Sequence, residues 1–408
     1  MSTSPLFPFV RRDVPRPSVA PPSRGGGAAG SPGPSGPGGP SRLRALFEGM
    51  RRSKLLRTTL TSVFVLFMLA AAHLFMVAIN AAEQAVEAPH PHDGPRARLL
   101  TDEPLAAEIQ RALDVEEDPD NRAALETALA QAEADEPVVM NTLPVTPFLG
   151  WTAIGRCALG LMLIWLTSRF KSDAVQTVIG IFGGNLIWTG GVEYGLIMAA
   201  RKFGIGKAIS AQDGEVMAIF GEYVLLKHTW GPFFLVVAYL IFLESSRCPA
   251  FLWWRKRLPL MRGALVSGRI GNYGPRSAFE YVTIVWGFYL LLLWAYDEHL
   301  FGVYSYFTKL VLFGSIAGSI YFVWRLHKQT GWGPALRYAI AAMVVVWTPI
   351  EIFAKWGVLR EPWLLLEPGT AIFFFGGLAL GTWALIKAQR RRKKAAAGGC
   401  PFHGAAKS

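Results

Sequence analysis

Apolar residues run in long blocks along this chain, separated by short polar segments. One block covers residues 58–80. Seven more follow at about 148–168, 175–200, 229–246, 279–297, 307–326, 336–357 and 370–388. Most hold close to the ~20 residues that an α-helix needs to cross ~30 Å of hydrocarbon. The pattern predicts an all-α fold, a polytopic membrane helical bundle of about eight transmembrane helices. Residues 148–388 form a seven-helix membrane core. Residues 42–80 supply a basic flank and the first transmembrane helix. That helix reads as a retained anchor rather than a cleaved signal peptide, because its apolar run is long and nearly fifty residues precede it.

The polar segments divide into two kinds. Lys and Arg gather before the first block (Arg51, Arg52, Lys54, Arg57), and after the second (Arg169, Lys171), fourth (Arg247 to Arg276), sixth (Arg325, Lys328, Arg337) and eighth (Lys387 to Lys394). This alternation places both termini in the cytoplasm, in a plasma membrane or a bacterial inner membrane. Residues 81–147 hold about half of the Asp and Glu and read as an acidic extracytoplasmic helical hairpin, with Asp118 as N-cap and Pro119 at the first helical position. Residues 201–228 break the charge pattern. They are expected outside, yet carry Arg201, Lys202, Lys207 and Lys227, and their interior ISAQDGEVMAIFGEYVLL reads as a short interfacial or re-entrant helix. Residues 1–41 are rich in Pro, Gly and Ser and predict a disordered cytoplasmic tail; residues 389–408 predict a second, basic one.

Composition agrees: 52% of residues are hydrophobic, with 14 Trp and 26 Phe. The net charge of +12 sits in loops beside apolar blocks, which is topology and not nucleic-acid binding. The basic, Trp-bearing loop 247–276 suits anionic lipid headgroups. Cys157, Cys248 and Cys400 form no disulfide or zinc spacing, and there is no Walker loop, GxSxG or HExxH motif. Glycines at 314 and 318, at 377 and 381, and at 180, 183 and 184 provide close helix contacts.

The candidate chemistry lies in ionisable residues within apolar blocks. Arg156, Glu193 and Glu351 each lie about 9–12 Å below the outer surface at 1.5 Å per residue. Charges at such depth face the bundle interior and seek partners, so Arg156 is expected to pair with Glu193 or Glu351. The two glutamates share a local pattern. Trp188-Thr189-Gly190-Gly191-Val192-Glu193 resembles Trp347-Thr348-Pro349-Ile350-Glu351 less one residue, and Gly190-Gly191 and Pro349 both loosen a helix there. Asn185 and Lys355 complete a set of substrate- or ion-binding candidates. His228, Asp297, Glu298 and His299 are weaker candidates for a divalent metal; solvated loop residues are the alternative reading. His73 stands mid-span in the first helix without another histidine to pair with it.

Three functions fit. The first is a transporter or ion-coupled permease using the Arg/Glu site. The second is a membrane-embedded enzyme acting on a lipid or isoprenoid substrate. The third is a structural subunit with partners in a membrane complex. The topology is directly testable. Reporter fusions after Gln329 and after Lys394 are expected to read cytoplasmic, and fusions within residues 85–140 external; a cytoplasmic reading within 85–140 overturns the arrangement.

Overall fold

The computed structural model describes residues 54–87, 90, 93–99, 104–219, 221–242, 257, 272–297, 300–360, 362–364, 367–384 and 387. The expected disordered tails and most of the 247–276 loop lie outside these residues. A helix occupies each of the eight predicted blocks. These are α1 (Lys54–Val86), α4 (Pro147–Leu166), α5 with α6 (Asp173–Ile187 and Tyr194–Phe203), α8 (Trp230–Phe242), α9 (Gly274–Tyr296), α10 (Tyr306–His327), α11 (Trp332–Lys355) and α12 (Pro368–Ala384). Among the described residues, α1, α4, α9, α10 and α11 are long and apolar enough to cross a membrane. The other three fall short for different reasons. The described part of α8 is 13 residues long. The α5–α6 run is continuous but carries Gln176, Asn185, Glu193 and six glycines. The described part of α12 is itself below 18 residues.

The core centres on α11, where 61% of the most apolar window is buried, against 17% in α10. Phe64, Val65 and Met68 of α1, Val178 and Ile181 of α5, and Tyr281 and Val285 of α9 pack with Leu336, Ala339 and Met343 of α11. By contrast, Leu310, Phe313, Ile320 and Trp324 of α10 are exposed, as a lipid-facing surface requires. α4, α5 and α9 approach through backbone. A Cβ on Gly160 would stand 2.8 Å from the Gly183 carbonyl, and one on Gly184 2.8 Å from the Ala278 carbonyl; Gly180 faces Gly274. The other small-residue spacings are only half used. Gly318 meets Val345 and Gly377 meets Phe67, but Gly314 and Gly381 face open space.

The basic flanks meet at one end. Arg57 donates to the Gln329 carbonyl, Thr58 lies 3.3 Å from His327, and Arg337 donates to Thr177 at 2.8 Å. At the other end the chain is not all-α. The acidic segment forms α2 (Leu105–Leu113) and α3 (Pro119–Glu133). Asp118 caps α3 as expected, accepting from the amides of Asp120 and Asn121 at 3.0 and 3.1 Å. After β2 (Ile205–Gly206), the residues read as an interfacial helix instead form an antiparallel hairpin of β3 (Ala208–Gln212) and β4 (Glu215–Ile219) and the short α7 (Gly221–Lys227). Asp213 and Gly214 form the turn, both with positive φ (55° and 73°), which a two-residue hairpin favours. Ile109, Leu113, Leu125 and Ala128 pack on Ile209 and Val216, while β1 (Arg98–Leu99) pairs in parallel with β2. Two distant segments thus build one small α/β cap domain.

The cap is pinned by an ion pair. Arg201, at the end of α6, meets Glu83 of α1 through two bonds of 2.7 and 3.1 Å, and Thr146 donates to the same carboxylate at 2.6 Å. Arg201 therefore does not violate the charge rule; it is neutralised. Lys227 is likewise paired with Asp297. The Glu83 side chain is 2% exposed, so removing one partner strands a buried charge, at about 3–5 kcal/mol. Glu83→Leu and Arg201→Leu are each expected to lower the unfolding midpoint in detergent sharply. The double variant is expected to recover part of the loss, and equal losses in all three would show that the pair is not coupled.

Candidate functional site

A cavity of about 550 Å³ opens where the cap meets the bundle. Its rim takes Glu108 and Arg111 from α2, Lys207 from the link between β2 and β3, Lys227 from α7, Asp297 after α9 and Lys355 at the end of α11. Val285, Phe288, Leu292, Leu293 and Trp363 supply apolar wall, and His73, Tyr289, Trp347, Thr348 and Glu351 line it on α1, α9 and α11, one turn short of Leu69, Val285 and Val344.

His73 is the hub that the sequence did not single out. Its Nδ1 lies 3.0 Å from the Leu69 carbonyl, which can only accept, so Nδ1 carries a proton. Tyr289 Oη lies 3.0 Å from Nε2 and donates to it when the ring is neutral. Glu351 Oε1 is 4.0 Å from the same Nε2, and the ring of Trp347 stacks on the imidazole with centroids 6.0 Å apart. A second proton on His73 would place an N–H at Nε2, facing the carboxylate, with Tyr289 turned from donor to acceptor. The clue was His73 itself, polar at mid-span; its partners stand more than 200 residues away.

The two glutamates are held alike. The Trp347 indole N–H donates to Glu351 Oε1 at 2.6 Å, and the Trp188 indole N–H to Glu193 Oε1 at 2.7 Å. The second bond spans five residues because Trp188–Glu193 is π-helical, the local loosening expected at Gly190-Gly191. α11 remains helical through Pro349. The Val345 carbonyl, which loses its amide partner there, accepts from Ser319 at 3.4 Å. Glu193 does not line the cavity. It is buried, with Oε2 lacking a hydrogen-bond partner among the described residues, and Trp188 packs at a tilt, centroids 5.6 Å apart, against Tyr289, which does line the cavity.

Arg156 overturns its expected pairing. It has no carboxylate within ion-pair distance among the described residues, and its guanidinium is buried between the rings of Phe75 and Tyr194, at 5.0 and 4.7 Å. The wider π turn carries Glu193 towards Trp188 and presents Gly190 to Arg156; a Cβ there would stand 2.8 Å from that of Arg156. Asn185 is buried one turn before Trp188, its side-chain oxygen unpartnered among the described residues. Lys355 and Asp297 are on the rim, whereas His228 contacts the Val224 carbonyl at 2.7 Å and does not line the cavity. Glu298 and His299 lie outside the described residues. Among those described, no three His, Cys, Asp or Glu side chains gather as a metal set. Comparison with known protein families, curated proteins and solved structures finds no match to this chain.

The rim is electrostatically uneven. Arg111 pairs with Glu108 at 3.2 Å and Lys227 with Asp297, whereas Lys207 and Lys355 form no ion pair within 4 Å among the described residues. Desolvation at the mouth, and then the ammonium groups of Lys355 and Lys227, push the Lys207 pKa below the usual lysine value. Folding therefore releases a proton between the lowered and the usual value. The penalty is complete below that interval and absent above it. Lys207→Gln is expected to raise the melting temperature at about pH 7, with the gain shrinking towards about pH 10 as the wild type loses its own proton. A gain that is constant across this range would remove Lys207 from a charge-crowded site.

Proposed function

We propose that the protein is an ion-coupled permease whose eight helices cross a plasma or bacterial inner membrane with both termini cytoplasmic, and whose cavity admits substrate from the face bearing the cap. The observation that carries this reading is the His73–Tyr289–Glu351 cluster deep in that cavity, with a second carboxylate, Glu193, beyond Tyr289 and Trp188. A proton shared between His73 and Glu351 changes the charge that a bound substrate meets. Ionisable groups inside membrane helices commonly mark such pathways. Helix irregularities at the binding depth are another recurring feature of transporters, and the π turn and Pro349 supply both here.

A second reading, an enzyme acting on a lipid or isoprenoid substrate, is favoured by one observation: an imidazole 4.0 Å from a carboxylate beside an apolar wall. One experiment separates the two. Proteoliposomes loaded with the pH dye pyranine are given an imposed pH gradient and a dialysable small-molecule extract, and the external medium is followed by mass spectrometry. A permease gives extract-dependent internal acidification that is lost in Glu351→Gln, strongly reduced in His73→Gln and retained in Lys202→Gln, since Lys202 is exposed and away from the cavity. No acidification with any fraction overturns the permease, and conversion of an extract component into a new compound without a gradient establishes the enzyme.

A further inference from the structure

The cavity also specifies the chemistry of what enters it. Its titratable rim reduces to two lysines. Arg111 and Lys227 hold Glu108 and Asp297 in ion pairs, whereas Lys207 and Lys355 form no ion pair within 4 Å among the described residues. These two ammonium groups, one from the cap and one from the end of α11, both line the mouth and repel one another; desolvation first, and then Lys355 and Lys227, lower the Lys207 pKa, against the opposite pull of Asp297 and Glu108. An anion between them would relieve that repulsion and give each a charge-assisted hydrogen bond. Inward of Lys355 the wall turns apolar, with Phe288, Leu292, Leu293 and Trp363. Lys355 lies four positions after Glu351, about 6 Å along the helix. A ligand anchored at the mouth therefore passes apolar side chains before reaching His73 and Glu351. A cavity of about 550 Å³ accommodates a small organic molecule but not a polymer.

We propose that the ligand of this cavity is an amphiphilic organic anion, with its carboxylate or phosphate held between Lys207 and Lys355 and its apolar body laid along Phe288, Leu292, Leu293 and Trp363. The polar cluster beneath then meets the inner end of that body. Inorganic anions fail because they leave the wall unfilled. Amphiphilic cations fail because they meet two unneutralised ammonium groups at the entrance. This assignment deepens the permease reading, and rests on it only for the fate of the ligand after binding.

Trp347 and Trp363 line the cavity and report occupancy. Tryptophan fluorescence and thermal unfolding are measured on the full chain in nonionic detergent with octanoate, octyl phosphate, octylammonium, octanol, acetate and inorganic phosphate as probes. Octanoate or octyl phosphate is expected to change the fluorescence saturably and to raise the melting temperature, and the other four are not. Lys207→Gln and Lys355→Gln are each expected to weaken that binding by about tenfold or more. Lys202→Gln is expected to leave it unchanged. Neither rim lysine makes a hydrogen bond or ion pair among the described residues, so neither substitution breaks a contact that holds the fold.

Nanodiscs identify the source of the anion. Protein in phosphatidylglycerol discs that no longer responds to octyl phosphate, while protein in phosphatidylcholine discs does, takes a membrane phospholipid. An equal response in both discs identifies a free organic acid. Either result supports the assignment. Equal stabilisation by octylammonium or octanol, or binding that survives the Lys207→Gln/Lys355→Gln double variant, overturns it. The two readings fail separately. Anion binding without proton-coupled flux removes the permease alone, and proton-coupled flux without anion selectivity removes this assignment alone.

Discussion

The buried pair of Glu83 and Arg201 is the constraint on which the rest of the architecture turns. It joins the last turns of α1 to the end of α6, and through Thr146 it takes in the segment that leads into α4. Those are the entrance and exit of the first chain segment of the cap and the entrance of the second. Fixing them in a dry environment sets where the cap sits, and therefore where the rim lysines stand relative to α11. A polar loop alone would leave the mouth of the cavity undefined. The arrangement also explains why arginine is used at position 201, since its planar fork meets both carboxylate oxygens at once.

Much of the bundle was legible from the chain. Helices need only local periodicity and length, so each apolar block corresponds to a helix. The Asp118–Pro119 start of α3 is a local capping signal and was equally readable. What escaped was non-local or small. The hairpin at residues 208–219 carries its own signature, Asp213-Gly214 between alternating residues. It lies, however, inside a segment apolar enough to pass for membrane-associated helix, and only the partner segment 105–140 supplies the surface that it covers. Two basic residues of that loop, Arg201 and Lys227, looked misplaced because their acidic partners, Glu83 and Asp297, are 118 and 70 residues away.

The candidate site was half visible. Depth identified Glu193 and Glu351, and their shared Trp-Thr context was real in a sense that the alignment did not reveal. An α-helical turn brings residues four apart into register, while a π-helical turn does so for residues five apart. The additional residue between Trp188 and Glu193 is absorbed by the π turn, and both indoles reach their carboxylates. The same turn defeated the expected bond to Arg156, because it re-aims everything that follows. His73 was passed over because a single histidine on an apolar helix has no local partner; Tyr289 and Glu351 reach it only through tertiary packing.

The glycine contacts among α4, α5 and α9 have a mechanical consequence. Where backbone lies against backbone there are no side chains to change rotamer, so these three helices form one stiff plate. α1, α10 and α11 meet that plate through layers of larger side chains such as Phe64 on Phe182, which re-pack more readily. The softest seam of the bundle therefore runs between the plate and the α1–α11 pair. Tyr289 belongs to the plate, and the π turn that carries Glu193 continues directly from it; His73 and Glu351 ride on the other side. The hydrogen bond from Tyr289 to His73 is the stitch across that seam.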